Sequence, residues 1–319
     1  MTSPMTDDAA VLNALLSALN KGQVVWLCMI TEAIGSSPRP VGTLLAVDAE
    51  GQQTGSLSGG CVEEDLVSRL VSGEFDSHRI QFIEYGVSAE NNERLGLPCG
   101  GRLHVAIQQL NTVDLSWIKA AQQAISERYI LQRRLSIPDG DSATLLPAVF
   151  QPLTRTDTSL LHCFGPRMRL LLVGAGAIAA SVAQLAIAMD YEVILTDSRE
   201  WAIAQWTGPE VECVLGFPDD IIQARGADQH CAIITLSHDP RVDDMALLEA
   251  LETRAWYVGA LGSLRTTRKR IARLQALGIT ELQLSRLKAP VGLSIGSKTP
   301  MEIAVSIMAE LTQCRHTAE

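Results

Sequence analysis

The sequence predicts an N-terminal α+β domain over residues 1–150, followed by a C-terminal α/β domain over residues 168–319 built on a doubly wound parallel sheet. Three observations carry this. Arg169-Leu170-Leu171-Leu172-Val173 reads as a buried strand that runs into Gly174-Ala175-Gly176-Ala177-Ile178-Ala179 and an Ala/Leu helix; a second strand follows and ends on Asp197. This is a βαβ unit with a G-x-G-x-x-A fingerprint and an acidic residue at the spacing where a ribose is met, so the C-terminal domain is Rossmann-like. Upstream, up to residue 150, helical patterns alternate with short β-rich runs and Gly-rich turns. Between the two, Gln151 to Pro166 is low in pattern and holds Thr, Asp and Pro, which places a linker at 151–167.

Composition narrows the partners. With 47% hydrophobic and 4% aromatic residues, the core is mainly aliphatic. A net charge of −10 argues against nucleic acid or an anionic membrane, so any anion must be held by a local cluster. The start of the chain, Met1 to Asp8, lacks the basic and apolar regions of a secretory signal. Leu170 to Met189 is uncharged and as long as a membrane span, but it contains Gly174, Gly176, Ser181 and Gln184, and reads better as a buried strand plus helix. Seven cysteines without a CxxC indicate neither a disulfide framework nor a zinc ribbon, which fits a reducing cytoplasm.

Taken in order, Asp7 to Asn20 is an amphipathic helix carrying Val11, Leu12, Leu15, Leu16 and Leu19 on one side, and Val24 to Thr31 is a buried strand. In Gly35-Ser36-Ser37-Pro38-Arg39-Pro40, two prolines stiffen the loop and present Arg39, which reads as a group for phosphate or carboxylate or, more simply, as a solvated arginine on an exposed turn. Thr43 to Val47 and Gln53 to Leu57 form a hairpin that delivers the chain to Ser58-Gly59-Gly60-Cys61-Val62-Glu63. A helix starts there with Glu63, Glu64 and Asp65 in its first turn, so Cys61 sits where dipole and free N–H groups favour a thiolate, while the carboxylates oppose one. The turn reads as an anion or metal pocket with a reactive sulfur, or as a small buried residue closing a strand-to-helix turn. A second Gly-flanked thiol, Cys99-Gly100-Gly101, lies between strands at Arg79–Tyr85 and Leu103–Ile107. Trp117 to Glu127 is a helix, and Tyr129–Ser136 pairs with Ala143–Phe150 as a hairpin.

In the second domain, strands at Val211–Leu215, Cys231–Leu236 and Ala255–Val258 complete the sheet. Ser237-His238-Asp239-Pro240 closes one of them at its carboxyl end, where such sheets bind ligands; His238 with Asp239 reads as an acid–base or anion-contacting pair, or as a helix cap beside a surface histidine. Gly259-Ala260-Leu261-Gly262-Ser263 opens a basic helix in which Arg265 and Arg268 are the anion candidates, and Lys269, Arg270 and Arg273 a solvated face. Thr299 caps the last helix, with Pro300 at its first position.

These motifs together resemble the XdhC–CoxI family of accessory proteins for molybdenum hydroxylases. The matching segments are Gly35–Arg39, Ser58–Glu63, Cys99–Gly101, Gly174–Ala179, His238-Asp239, Gly259–Ser263, and Pro290-Val291-Gly292-Leu293 with Thr299-Pro300-Met301-Glu302. Ala177 stands where the family commonly has His, Ser237 where it has Thr, and Ser294 where it often has Asp. The resemblance implies a cytoplasmic chaperone without turnover of its own. Such a protein binds molybdenum cofactor, as molybdopterin or its dinucleotide, protects or helps sulfurate it, and hands it to a xanthine-dehydrogenase-type enzyme. It further implies a cysteine desulfurase as a sulfur source and a homodimer. On this reading Arg39, Ser58, Gly59, Gly60, Cys61, Glu63, Cys99, Gly100, Gly174, Gly176, Asp197, His238 and Asp239 bind the cofactor; Cys61 and Cys99 meet the metal, and no residue is catalytic. Backbone N–H groups at a glycine turn would hold its phosphate, and the βαβ unit a nucleotide. The competing reading is an NAD(P)-dependent oxidoreductase on the same fold, against which stands the lack of a lysine–tyrosine pair at helical spacing.

Overall fold

The structure, a computed structural model, describes residues 7–35, 39–60, 62–75, 77–86, 101–147, 150–226, 228–237 and 239–317. The chain divides into two units, Thr2–Pro166 and Arg167–Glu319.

In the first unit, helix α1 (Asp7–Asn20) precedes strands β1 (Val25–Ile34), β2 (Leu44–Asp48) and β3 (Gln53–Gly55). Helix α2 (Glu63–Val71), β4 (Gln81–Tyr85) and β5 (Arg102–Leu110) follow. The strands make one antiparallel sheet in the order β3-β2-β1-β5-β4. β1 reads as an apolar run from Val25 to Ile30 because both its faces are covered there. Leu27 and Met29 join the core under α1, while Trp26, Cys28 and Ile30 join the core under α2 with Leu57, Val62, Leu66 and Leu70. Burial pushes the Cys28 thiol up, so it behaves as a packing residue.

Helix α3 (Leu115–Ser126) then leads to β6 (Leu131–Ser136), β7 (Ser142–Leu145), β8 (Thr154–Arg155) and β9 (Ser159–Phe164), a second antiparallel sheet in the order β7-β6-β9-β8. The expected hairpin is present, with Gln132 opposite Leu145. The stretch 151–167, expected as a linker, instead carries two strands. Leu160, His162 and Phe164 are buried at period two, a short signal masked by the Thr and Asp residues before it. Leu160 and Phe164 share the first core with Trp117, Leu131 and Leu135. Arg133 is buried in this sheet, its guanidinium 3.7 Å from the Trp117 ring centre and donating to Gln108 Oε1 at 2.7 Å; burial lowers it to about 9 despite Asp114. His162, also buried, is pushed down to about 3 by burial and then by Arg133, and so is neutral.

The second unit holds a six-stranded parallel sheet. Its strands are β10 (Arg169–Val173), β11 (Glu192–Asp197), β12 (Glu212–Leu215), β13 (Cys231–Thr235), β14 (Tyr257–Ala260) and β15 (Leu287–Lys288). Their spatial order is β12-β11-β10-β13-β14-β15, the 3-2-1-4-5-6 order of doubly wound dinucleotide folds. The helices are α4 (Ala177–Ala188), α5 (Glu200–Ala204), α6 (Pro218–Arg225), α7 (Pro240–Glu252), α8 (Leu264–Ala276), α9 (Glu281–Leu284) and α10 (Pro300–Thr317). The sheet is buried on both faces: Leu170, Leu172 and Ile234 pack with Ala179, Val182 and Ile307, while Leu171, Val173 and Ile233 pack with Leu247, Ala250 and Leu274. Thr299 Oγ1 accepts from Glu302 N at 3.3 Å, and Glu302 Oε2 accepts from Lys298 N and Thr299 N, a reciprocal cap that starts α10 where the sequence places it. No helix among the described residues is long and apolar enough to cross a membrane.

Candidate functional site

The register of the first sheet collects the N-terminal motifs. β1 ends at Ile34, opposite Arg102 at the start of β5; β4 ends at Tyr85, opposite Leu103; and β3 ends at Gly55, opposite Leu45 near the start of β2. The segments bounded by these strand ends therefore lie toward the same side of the sheet, although Gly55 stands level with Cys28 of β1, six residues short of Ile34. They are the Gly35–Arg39 loop, the Ser56–Val62 turn and the Gly86–Gly101 connection. Glycine backbones meet there: a Cβ on Gly35 would lie 3.4 Å from Gly101 Cα, and one on Gly86 only 2.2 Å from the Gly101 carbonyl. Only glycine fits at Gly86, where φ is +90°. Arg39 is half-buried in its loop, which Thr43 closes by donating to Pro40 O from N and Oγ1. Cys61, Cys99 and Gly100 lie outside the described residues.

Glu63 organises the turn. Its Oε1 accepts from Ser56 Oγ (2.8 Å), Leu57 N (2.9 Å), Ser58 N (2.9 Å) and Gly59 N (3.2 Å). Its Oε2 accepts from Ser58 Oγ, Gly60 N (3.0 Å) and Val62 N (3.3 Å). Burial works against the charged carboxyl and is the largest single influence, but the bonds from Ser58 and Ser56 together outweigh it and bring Glu63 down to about 2. The expectation that this turn offers its N–H groups to a phosphate is thereby corrected. Those donors, with Ser58 Oγ, are spent on Glu63, a buried carboxylate that binds the loop and not a ligand. Gly59 and Gly60 stay exposed with φ of +81° and +119°, and a Cβ on either would meet nothing within 4 Å. The outer face of the turn is bare backbone with open space before it, directly preceding position 61.

The second constellation lies at the carboxyl ends of β10, β11 and β13. Val173 is in register with Thr196 on one side and Thr235 on the other, so Gly174, Asp197 and Asp239 are brought to the point where strand order reverses. Gly174 has φ +106°, and a Cβ there would lie 2.8 Å from Ser237 N; the chain crosses the β13 loop only because it is glycine. Gly176 caps α4, and a Cβ on it would meet nothing within 4 Å. The turn's own amides are largely used: Gly174 N donates to Thr196 O, Gly176 N to Gly174 O, and Ala175 N to Asp197 Oδ2 at 2.9 Å. An anion would be met by the first-turn N–H groups of α4, whose ladder begins with Ala180 N to Gly176 O.

Asp197 is occupied as well. Oδ1 accepts from Arg199 N and Nε, both at 2.9 Å, and Oδ2 from Arg199 Nη2 at 2.7 Å besides Ala175 N. Each oxygen thus has two donors, leaving no lone pair for a ribose hydroxyl. Burial opposes the charge, and the bonds from Arg199 and Ala175 more than offset it, keeping the carboxyl below the usual range. Arg199, which is not among the residues the sequence motifs single out, stands two residues beyond Asp197, with its guanidinium 4.8 Å from the Trp201 ring centre. Asp239 caps α7 through Arg241 N at 2.9 Å, with the Arg241 side chain on both its oxygens. It is the cap of the blander reading, and Arg241 and Arg199 hold its carboxyl down to about 2. His238 lies outside the described residues.

Behind the β13 loop sits a buried charge cluster. Asp243 Oδ1 accepts from Ser237 N at 3.2 Å and Oδ2 from Arg270 Nη2 at 2.7 Å, and Arg270 Nη1 donates to Leu261 O at 2.9 Å. Arg270, expected on a solvated face, is 2% exposed because α8 packs on α7 and places it over Asp243 and Asp244. Burial pushes the Asp243 carboxyl up to about 7 against the pull of Arg270. Among the described residues no group of three or more His, Cys, Asp or Glu is placed to hold a metal ion. Five described cysteines, at 28, 163, 213, 231 and 314, are free thiols.

Comparison with known proteins agrees with this architecture. Residues 18–86 match the model of the XdhC and CoxI family, and residues 170–311 match the XdhC Rossmann domain. The molybdenum cofactor insertion chaperone PaoD of Escherichia coli is 28% identical over 98% of this chain and 90% of its own. A protein of Bacillus subtilis named as a probable xanthine dehydrogenase subunit is 26% identical over 91% of this chain and 92% of its own. A crystal structure described as a xanthine dehydrogenase from Bacillus halodurans superposes with a TM-score of 0.78, at 24% identity, over 98% of this chain and 97% of that one, and shares the fold. With one family model on the Glu63 turn and its sheet and the other on the parallel sheet, this chain belongs to the XdhC–CoxI family.

Proposed function

We propose that this chain binds molybdenum cofactor as cargo and inserts it into a molybdenum hydroxylase of the xanthine dehydrogenase type. The observation that supports the reading is the Glu63-braced glycine turn that directly precedes Cys61, in a sheet whose Arg39 loop leaves toward the same side and whose residues match the XdhC and CoxI family model. A cysteine thiol suits a soft metal–sulfur head group, and Arg39 suits an anionic tail. The name of the PaoD relative supports the same role. In its finer form, the chaperone keeps or helps make the sulfurated cofactor in the cytoplasm, as a homodimer, with a cysteine desulfurase supplying sulfur. The oxidoreductase reading is less favoured, because Arg199 and Ala175 saturate the Asp197 carboxylate that a nicotinamide dinucleotide would need.

Gentle purification from a cofactor-producing host, followed by molybdenum and pterin analysis, tests the cargo. Cys61→Ala, Cys99→Ala and the double variant are expected to carry less of both while remaining folded, and loaded wild type is expected to activate an apo-hydroxylase. Normal loading in all three variants reduces the thiols to packing, and a wild type free of molybdenum and pterin refutes the reading.

A further inference from the structure

The parallel-sheet unit has a second concavity, at the opposite end of the strands from Gly174 and Asp197. It is a cavity of about 790 Å³ where β13, β14 and β15 begin and α10 ends, and its walls include Arg254, Trp256, Arg286, Lys288, Cys314 and Arg315. The volume lies within the range of small-molecule sites. The charge is one-sided: four cationic side chains line it and no lining residue is acidic, in a chain of net charge −10. Such segregation focuses positive potential within a concave surface.

The walls are fixed. Arg286 Nη1 donates to Leu251 O at 2.8 Å and Nη2 to Ala255 O at 2.7 Å, so it clamps the segment before β14 and leaves its charge in place. Tyr257 OH donates to Glu310 Oε2, which also accepts from Gly292 N at 2.8 Å, so the Glu310 carboxylate is held by these two donors. Arg254 and Lys288 are exposed side chains on the cavity wall. Trp256 is half-buried, its ring centre 5.5 Å from that of Tyr257, and offers a planar apolar surface beside those cations.

We propose that this amino-end cavity binds a phosphorylated planar heterocycle, with Arg254 and Lys288 on the phosphate and Trp256 against the ring. A mononucleotide and a phosphorylated pterin share this chemistry. With a mononucleotide the proposal stands apart from the cargo reading; with a phosphorylated pterin it rests on that reading.

Intact protein is titrated with AMP, GMP, a phosphorylated pterin, adenosine and inorganic phosphate, by calorimetry and by tryptophan fluorescence. At least one of the phosphorylated heterocycles is expected to bind saturably and quench fluorescence, and which one does so identifies the source. Arg254→Gln with Lys288→Gln is expected to weaken that binding tenfold or more, the loss of charge-assisted hydrogen bonds. Trp256→Phe is expected to retain the heat of binding and lose the quench, with a thermal melt as the check on folding. Undiminished binding by the double variant overturns the site, as does loss of binding in Gly176→Asp, which would put the ligand at the carboxyl ends. Adenosine binding as tightly as AMP overturns the role of the cations, and inorganic phosphate binding as tightly as AMP overturns that of the ring. Absence of saturable binding by every phosphorylated probe refutes the proposal.

Discussion

Arg270 Nη2 donates to Asp243 Oδ2 at 2.7 Å, and each side chain is 2% exposed. Through Leu261 O and Ser237 N this one pair holds the loops that follow β14 and β13, the latter preceding His238. Removing Arg270 leaves the buried Asp243 carboxyl without its donor, and removing Asp243 leaves Arg270 with Asp244 at 3.5 Å, so each single loss costs about 1–3 kcal/mol. Arg270→Met and Asp243→Asn are each expected to lower the urea midpoint of the parallel-sheet unit and to speed hydrogen exchange across residues 231–261. Removing both charges together is expected to restore part of the loss. If either single variant exchanges like wild type, the pair does not hold these loops.

Glu63 makes the first unit acid-sensitive in a defined window. Its carboxyl falls to about 2 in the folded protein, against an ordinary value of 4.5. A depressed carboxyl contributes stability that is fully present above the unfolded value and is lost as pH falls through the folded one, here between 4.5 and 2. Allowing for residual screening, that is roughly 2 kcal/mol. Glu63→Gln is expected to be less stable at pH 7 and to lack this part of the acid slope, with amide exchange at Leu57–Gly60 accelerated. Identical pH profiles for the two proteins would count against Glu63 as the brace.

Much of the fold is legible in the sequence, because its signals are local. The Gly174–Asp197 unit, the Thr299–Pro300 cap and the β2–β3 hairpin each depend on residues close in sequence, and each is present. What is not legible depends on partners far apart. Arg270 belongs to an obvious basic stripe, and nothing near it announces Asp243, 27 residues away. β9 is short, and its partner Gln132 opposite Cys163 is 31 residues distant. At the candidate site the glycines and acids are found by motif, but their roles invert: Glu63 and Asp197 turn their carboxylates onto their own loops. For Arg199 the available signal is its position two beyond Asp197, since an arginine at that spacing can fold back on the acid.

The two fingerprint glycines are not equivalent. Gly174→Ala forces a Cβ to 2.8 Å from Ser237 N at φ +106°, so strain and a backbone clash combine, and a loss of about 2–4 kcal/mol is expected by denaturant titration. Gly176→Ala meets open space at φ −114° and is expected to stay within about 1 kcal/mol of wild type. Equal losses at the two positions would contradict this geometry.

Arg199 controls whether Asp197 is available to a ligand. Its guanidinium supplies two of the four donors on the carboxylate, and Arg199 N and Ala175 N the others. Arg199→Gln keeps both backbone donors and removes the fork, freeing one acceptor position on each oxygen for a ribose diol. Because the Arg199 side chain is 42% exposed, the stability lost is expected to be no more than about 1 kcal/mol. Adenine dinucleotide binding is expected to tighten about tenfold, as two buried acceptors regain partners. The titration is made in the Arg254→Gln, Lys288→Gln background, so that the amino-end cavity does not contribute. NADH oxidation is expected to be absent in wild type and variant alike, since freeing a ribose contact adds no hydride acceptor. Tight dinucleotide binding by wild type, unchanged in Arg199→Gln, would show that Asp197 is not closed by its neighbour; NADH turnover at enzyme-like rates would restore the oxidoreductase reading.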